Sequence, residues 1–334
     1  MANLSFLIRR ALRMDWKAMR KTADMLHAKT GKSRLWLMAD MARCARKYGA
    51  GYVDYKIAEM YRLTDAQRAT VITRGVSNAI VSRMNDKAFW HFFDNKCEFN
   101  DLFAKQVRRE WIDLTKASEE KFAAFLQGRG DVICKPIDGS SGQGIEKHTP
   151  EEYGDPKALY AQLKERGIGI VEDRVQQHPD ISALCPTSVN TIRVATLLGD
   201  KKEGIVYAYI RIGNGKGMDN VDCGGMAAPV DLETGVICGV GADKAGHVYE
   251  NHPMTGHPIR GTQIPYWKEV RQMCLKAMRV VPQVRFVAWD VAITPDGPIF
   301  IEGNSFPSHA IPQFAAHFPD GTGILPRFRE FIDV

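Results

Sequence analysis

Apolar residues change their spacing partway along the chain, and the change separates two kinds of predicted element. Up to residue 86 they recur mainly at helical intervals. Leu4, Leu7, Ile8, Leu12 and Met19 are spaced to line one side of a predicted helix, with Arg9, Arg10, Arg13, Lys17, Arg20 and Lys21 largely elsewhere; those before residue 15 lie outside the residues described below. Gly31, Gly49 and Gly51 punctuate this region, and Thr64 with Gln67 three residues later forms a capping-box pattern. Lys105–Trp111 reads as a further amphipathic stretch. From residue 131 onward, short β-rich runs take over: Val132–Cys134, Ile168–Val171, Thr191–Leu197 and Gly204–Ile210, separated by helical stretches near 151–165 and 265–279. Helices first and strands later predict an α+β architecture, not an alternating βαβ one.

Composition alters this picture little. With 334 residues, 45% hydrophobic and 25% charged, the chain falls outside the disordered, collagen-like and fibrous classes. No apolar run reaches the ~18 residues of a membrane span, and the first residues lack the order of a secretory signal. Seven cysteines without CxxC spacing read as free thiols in a reducing cytoplasm, so the expected location is cytoplasmic. Charge matters more. Residues 1–50 carry twelve Lys/Arg against three Asp, while the remainder is net negative. That segment fits a solvated helix packed on its own domain, or a basic face touching the inner membrane surface or an acidic partner. No nucleic-acid module is present, and no nucleic-acid partner is expected.

Two segments carry candidate chemistry. In Val132–Ile145 a strand delivers Lys135 into a loop containing Gly139, Ser140, Ser141, Gly142 and Gly144. Such a loop either wraps phosphates with its backbone N–H groups or is a plain hairpin turn. It is neither a Walker A loop nor a protein-kinase loop. The second segment, Val287–Ser305, has β-rich runs flanking Pro295-Asp296-Gly297 and predicts a hairpin. Centred on Asp296, it sets Asp290 opposite Glu302 with Cβ atoms about 4.5–5.5 Å apart, and Asn304 on the same side. Facing carboxylates repel unless a cation lies between them, and all-oxygen ligands suit Mg²⁺ or Mn²⁺. Cys223, His252, His257 and His309 form no nucleophile or zinc pattern, and Trp267, Trp289 and Phe300 read as core.

A lysine before a Gly-rich loop, a hinge strand and a late Asp…Glu-x-Asn hairpin together resemble the ATP-grasp superfamily. More narrowly, the chain is similar to the sugar-transfer-associated ATP-grasp proteins. The supporting residues are Tyr55, Leu63–Arg68, His178-Pro179, Ser188–Arg193, Asp219-Asn220, Gly224-Gly225 and Asp290–Asn304. The resemblance implies two α+β lobes holding ATP between antiparallel sheets. The expected divisions are a helical region at 1–86, a small lobe at 87–170 and a large lobe at 171–334. It assigns Lys87 and Lys135 to the phosphates and residues 139–144 to the covering loop. The hinge Glu172, Asp173 and Val175 would meet adenine through its backbone and the Glu172 carboxylate, and Asp180 or Gln177 the ribose. Asp290, Glu302 and Asn304 become the Mg²⁺ (or Mn²⁺) ligands.

One departure stands out. Amide-forming relatives carry an arginine two residues before the first metal aspartate, where this chain has Ala288. Arg193 and Arg211 are therefore the expected oxyanion-stabilising cations, with Lys216 a weaker candidate, and Asn190 stands where the family's arginine-strand motif varies. The implied activity is a carboxylate–amine ligase working through an acyl phosphate and releasing ADP and phosphate, in surface-glycan or amino-acid-conjugate biosynthesis. The alternatives are an ATP-dependent kinase of a sugar or polyol, or a non-catalytic nucleotide-binding module docked on a glycan-assembly enzyme.

Overall fold

The late hairpin is present and organises the larger of two antiparallel sheets. A computed structural model describes residues 15–139, 144–215 and 217–334. The chain divides into two compact units, one formed by residues up to Ala79 with His309–Pro326, the other by Ile80–Ser308 with Arg327–Val334. The architecture is α+β, as the spacing of apolar residues predicts.

In the first unit, helices α1 (Trp16–Thr30) and α2 (Arg34–Tyr48) each bury one stripe: Met19, Ala23 and Leu26 on α1, Leu37, Met41 and Cys44 on α2. Both end on a left-handed glycine, Gly31 and Gly49. The Thr64–Gln67 capping box forms, with each side chain bonding the other residue's backbone N–H. A buried polar cluster ties the unit together. Arg68 grips both oxygens of Asp40 at 2.9 and 2.7 Å, and the Tyr55 hydroxyl donates to the same carboxylate. His309 meets Asp54 at 2.7 Å, while Asp54 also accepts from the N–H groups of Gly51 and Arg74.

The second unit holds both sheets. Strands β1 (Trp111–Asp113), β2 (Val132–Lys135), β3 (Glu146–His148) and β4 (Ile170–Asp173) make a small sheet in the order β1-β4-β2-β3. The large sheet comprises β5 (Ile192–Leu198), β6 (Glu203–Ile212), β7 (Met226–Pro229), β8 (Gly241–Ala242), β9 (Val248–Tyr249), β10 (Phe286–Thr294) and β11 (Gly297–Asn304). Its order is β11-β10-β5-β6-β7-β8-β9. One expectation fails: Lys105–Trp111 is not one amphipathic helix. A single helical turn, Ala104–Val107, stops at Arg108, whose φ of 54° is left-handed, and Trp111 opens β1.

Alternation along β10 sorts the sheet's two faces. Val287, Trp289, Val291 and Ile293 point into an aromatic core with Phe93, Phe99, Phe103 and Phe300. Trp289 stacks on Phe300 at 4.8 Å, and its indole N–H donates to Thr196 Oγ1 at 2.8 Å. Trp267 is buried in the same cluster. The opposite face carries Asp290. That division puts one charged position against a rigid backing.

Candidate functional site

A single register row crosses four strands of the large sheet. Glu302 on β11 pairs with Asp290 on β10, Asp290 with Arg193 on β5, and Arg193 with Tyr209 on β6. The facing of Asp290 and Glu302 matches the expectation, but the route to it differs. Near the turn, Thr294 pairs with Gly297 and Val291 with Phe300, a register that taken further would set Ile301 against Asp290. A β-bulge at Ile301 supplies the missing residue, so two residues oppose one. Ile301 and Glu302 consequently line the same cavity.

The acids of this row are met by arginines. Arg193 donates through Nε to Asp290 Oδ1 and through Nη2 to Oδ2, both at 2.6 Å, and Arg211 Nη2 donates to Oδ2 at 2.9 Å. Burial alone would raise the Asp290 carboxyl; the two guanidiniums overcome it and hold the group well below the usual carboxylate range. Glu302 moves the opposite way, raised by burial and by the neighbouring Asp290 charge. Both expected cations are thus brought to the aspartate, in place of the arginine absent at Ala288. Arg211 is fixed in turn by Thr191 Oγ1 at 2.9 and 2.7 Å and by Asp219 at 3.4 Å. Lys216, Ser140, Ser141 and Gly142 lie outside the described residues.

The row offers oxygen donors of the kind a divalent ion takes, but they are shared. Three donors occupy Asp290, leaving one of its roughly four lone-pair sites. The Asn304 amide N–H donates to the Ala288 carbonyl at 3.2 Å, which leaves its oxygen as an acceptor, and Glu302 keeps 37% of its side chain exposed. Among the described residues, no three His, Cys, Asp or Glu side chains converge on a metal position. Two carboxylates and two guanidiniums cancel in charge, so an ion held here needs further oxygens from whatever brings it.

Across from this row, the small sheet contributes Lys135 and Glu172. Glu172 is buried and pairs with Lys135 and, at 2.9 Å, with Arg109. Burial would raise its carboxyl, but Arg109 and Lys135 outweigh burial and hold it down at about 2. In this structure the Glu172 carboxylate, expected at the adenine edge, is engaged by these two cations. Asp173 is held through both oxygens by Arg129 at 2.8 Å, and Val175 is half-buried. Asp180 is largely exposed, whereas Gln177 is committed to the backbone of Ser188 and Asn190. Asn190 is an organiser of loops, bonding Ile181, Cys185 and Gly213.

Lys87 does not join this group. It is exposed with its ammonium 5.7 Å from the Trp90 ring centroid. Lys96 lines the cavity instead, together with Phe93, Phe99, Asn100, Arg109 and Lys135. Its ammonium donates to the carbonyls of Ile137 and Gly139 at 3.2 and 3.1 Å, at the entry to the Gly-rich loop, and burial lowers its pKa. Gly139 and Gly144 border that loop; Gly144 has φ +71°, and a Cβ there would lie 2.9 Å from Pro136 Cγ. Arg109 donates to the carbonyls of Phe300 and Ile301 at 2.5 and 3.2 Å, satisfying the bulge. Among the described residues, its Nε and the Asn100 amide nitrogen find no partner, which marks donors awaiting an acceptor. The enclosed space is about 10 Å³, room for one water.

Sequence reasoning missed Lys96, Asn100 and Arg109 because they follow no motif spacing; only the folded helix Lys96–Leu102 and the bulge give them a role. Arg68 and Asp40 pair inside the first unit and belong to its core.

A family model described as sugar-transfer-associated ATP-grasp matches residues 156–331. No curated protein matches the sequence. Among solved structures, the chain is similar to D-cycloserine synthetase DcsG at 13% identity (TM-score 0.42), covering 75% of this chain and 77% of that one. The ATP-grasp ligase PsnB complexed with its minimal precursor matches at 12% (TM-score 0.40), covering 75% and 68%. The D-alanine–D-alanine ligase of Coxiella burnetii matches at 11% (TM-score 0.43), covering 72% and 55%.

Proposed function

This chain belongs to the sugar-transfer-associated ATP-grasp family, and on that premise we propose that it is an ATP-dependent ligase joining a carboxylate to an amine through an acyl phosphate. The observation that carries the reading is the row Glu302–Asp290–Arg193 with Arg211 beside it. It places two fixed guanidiniums next to two acids on one face, where a transferring phosphoryl group and a developing oxyanion both need positive charge.

Glu302, the Asn304 carboxamide oxygen and the remaining lone pair of Asp290 are the groups that would hold Mg²⁺ or Mn²⁺, which when bound neutralises the β- and γ-phosphate oxygens of ATP. The protein's own side chains do the rest. Lys96 and Lys135 orient the phosphates as point charges. Glu172 has two cationic partners, so Lys135 can swing to a phosphate while Arg109 still balances the buried carboxylate. Arg193 and Arg211 stabilise the tetrahedral oxyanion as the amine attacks, each donor contributing about 3–4 kcal/mol. The carboxylate oxygen takes the γ-phosphoryl group, the amine displaces phosphate, and the amine's extra proton leaves with solvent. Closure of the loop at 139–144 would keep water from the acyl phosphate.

The test is release of ADP and phosphate from the purified protein offered pooled amino acids, amino sugars and uronic acids, with hydroxylamine as a trap. Equal ADP and phosphate, a hydroxamate, and loss of turnover in Lys135→Ala and Asp290→Ala support the ligase. ADP without phosphate marks a kinase, and MgATP binding with no turnover marks a sensing module. A surface-glycan building block is the substrate class we favour, and the amino-sugar and uronic-acid pools test it.

A further inference from the structure

We propose that the outer face of the α1–α2 hairpin docks on an anionic lipid surface. Opposite the buried stripe of α2 lies a second line, Leu35, Ala39, Ala42 and Arg46, spaced four, three and four residues apart, the interval of one helix face. Leu35 is 80% exposed and Trp36, beside it, 44%. On α1 the corresponding outward line is Lys17, Lys21, Asp24 and Ala28, with Arg20 and the exposed Met25 alongside. Large apolar side chains are thus left in water at the start of α2, next to a basic surface.

The charge on this face is one-sided. Asp24, the acid in the outward line of α1, is paired with Arg34 at 2.6 Å. Arg43 and Lys47 share the single carboxylate of Asp65. Lys17, Arg20, Lys21 and Arg46 have no acidic partner among the described residues. Lys32 places its ammonium 4.7 Å from the Trp36 ring centroid, an aromatic–cation pair of the kind that settles at headgroup level.

Exposed Leu and Trp at one end of the hairpin face, with unpaired Lys and Arg further along it, match the requirements of an interfacial helix: apolar area to bury in the acyl boundary and cations for anionic headgroups. Two copies of this face would set like charges together, which disfavours self-association. No described helix is long and apolar enough to cross a membrane, so the contact is one of lying on the surface. This inference is independent of the ligase reading.

Co-sedimentation of the full chain with vesicles decides it. Phosphatidylcholine alone is compared with an equimolar mixture with phosphatidylglycerol, at low and high salt. Binding to the anionic vesicles should exceed binding to neutral ones by at least about tenfold and weaken with salt. Leu35→Glu with Trp36→Ala should reduce it about tenfold or more, and Lys17→Glu with Lys21→Glu should do the same, each with the wild-type melting temperature. Equal binding to neutral vesicles, no binding to either, or full retention by both double variants overturns the proposal. So does a dimer in sedimentation velocity that Leu35→Glu dissociates without any vesicle binding.

Discussion

Arg193 and Asp290 face each other on adjacent strands and are joined by two parallel bonds of 2.6 Å each. The aspartate is therefore a structural acid as well as a candidate ligand. Replacing it strands two buried guanidiniums, and breaking such a pair costs about 3–5 kcal/mol. Asp290→Ala should lower the unfolding free energy measured in urea by that amount. Asp290→Asn keeps shape and one acceptor, so it should lose turnover with a smaller loss of stability; equal losses in both variants would contradict the dual role.

Arg109 connects the two sheets, holding the bulge carbonyls of Phe300 and Ile301 on one side and Glu172 on the other. Arg109→Met leaves Glu172 with Lys135 alone, which ties the lysine to the carboxylate. The expected result is a KM for ATP raised about tenfold, equivalent to ~1.4 kcal/mol, with a smaller change in kcat. Steady-state kinetics at varied ATP measure the split.

Acid sensitivity follows from Glu172. Its carboxyl is held at about 2 against an ordinary value of 4.5. A depressed carboxyl contributes stability that is present above 4.5 and lost as pH falls toward 2, on the order of 3 kcal/mol in full. The gap in unfolding free energy between the wild type and Glu172→Gln should shrink through that window. A gap independent of pH would show that the carboxylate is not held as described.

Gly303 separates Glu302 from Asn304 and has a steric reason to be glycine. A Cβ there would lie 2.8 Å from Phe99 Cε2 and 2.9 Å from Phe93 Cδ1. Its neighbours face the charged row while its own position faces the aromatic core. Gly303→Ala should cost about 1–3 kcal/mol and displace both flanking candidate ligands. Thermal stabilisation by MgATP, which reports native-state binding, should fall in this variant, and unaltered stabilisation would count against the assigned ligands.

Much of this was readable in advance where a local signal coincides with a long-range one. The Pro-Asp-Gly turn sets the hairpin, and two flanking β-runs fix which residues meet, so Asp290 and Glu302 come together as expected. Arg193 and Arg211 were singled out through the family resemblance, as replacements for the arginine absent at Ala288, and both meet Asp290. Lys96 and Arg109 were not. Both lie on short irregular elements between residues 91 and 113, where no period identifies a face, and their partners are backbone carbonyls and a carboxylate far along the chain. Lys87 is the converse case: family order points to it, and in this structure its capped turn sets the ammonium over Trp90. The ion pairs of Glu172 were not legible for a related reason, since pairing across the small sheet leaves no trace in spacing.

The extra residue at Ile301 has an evolutionary reading. A ladder without irregularity would turn the acid to the wrong side whenever one position was lost or gained. Here the surplus residue sits immediately before Glu302, so removing it alone would restore regular pairing and still leave the acid against Asp290. A chain without that residue would keep the acid in place, forfeiting an aliphatic wall and one of the two carbonyl acceptors of Arg109.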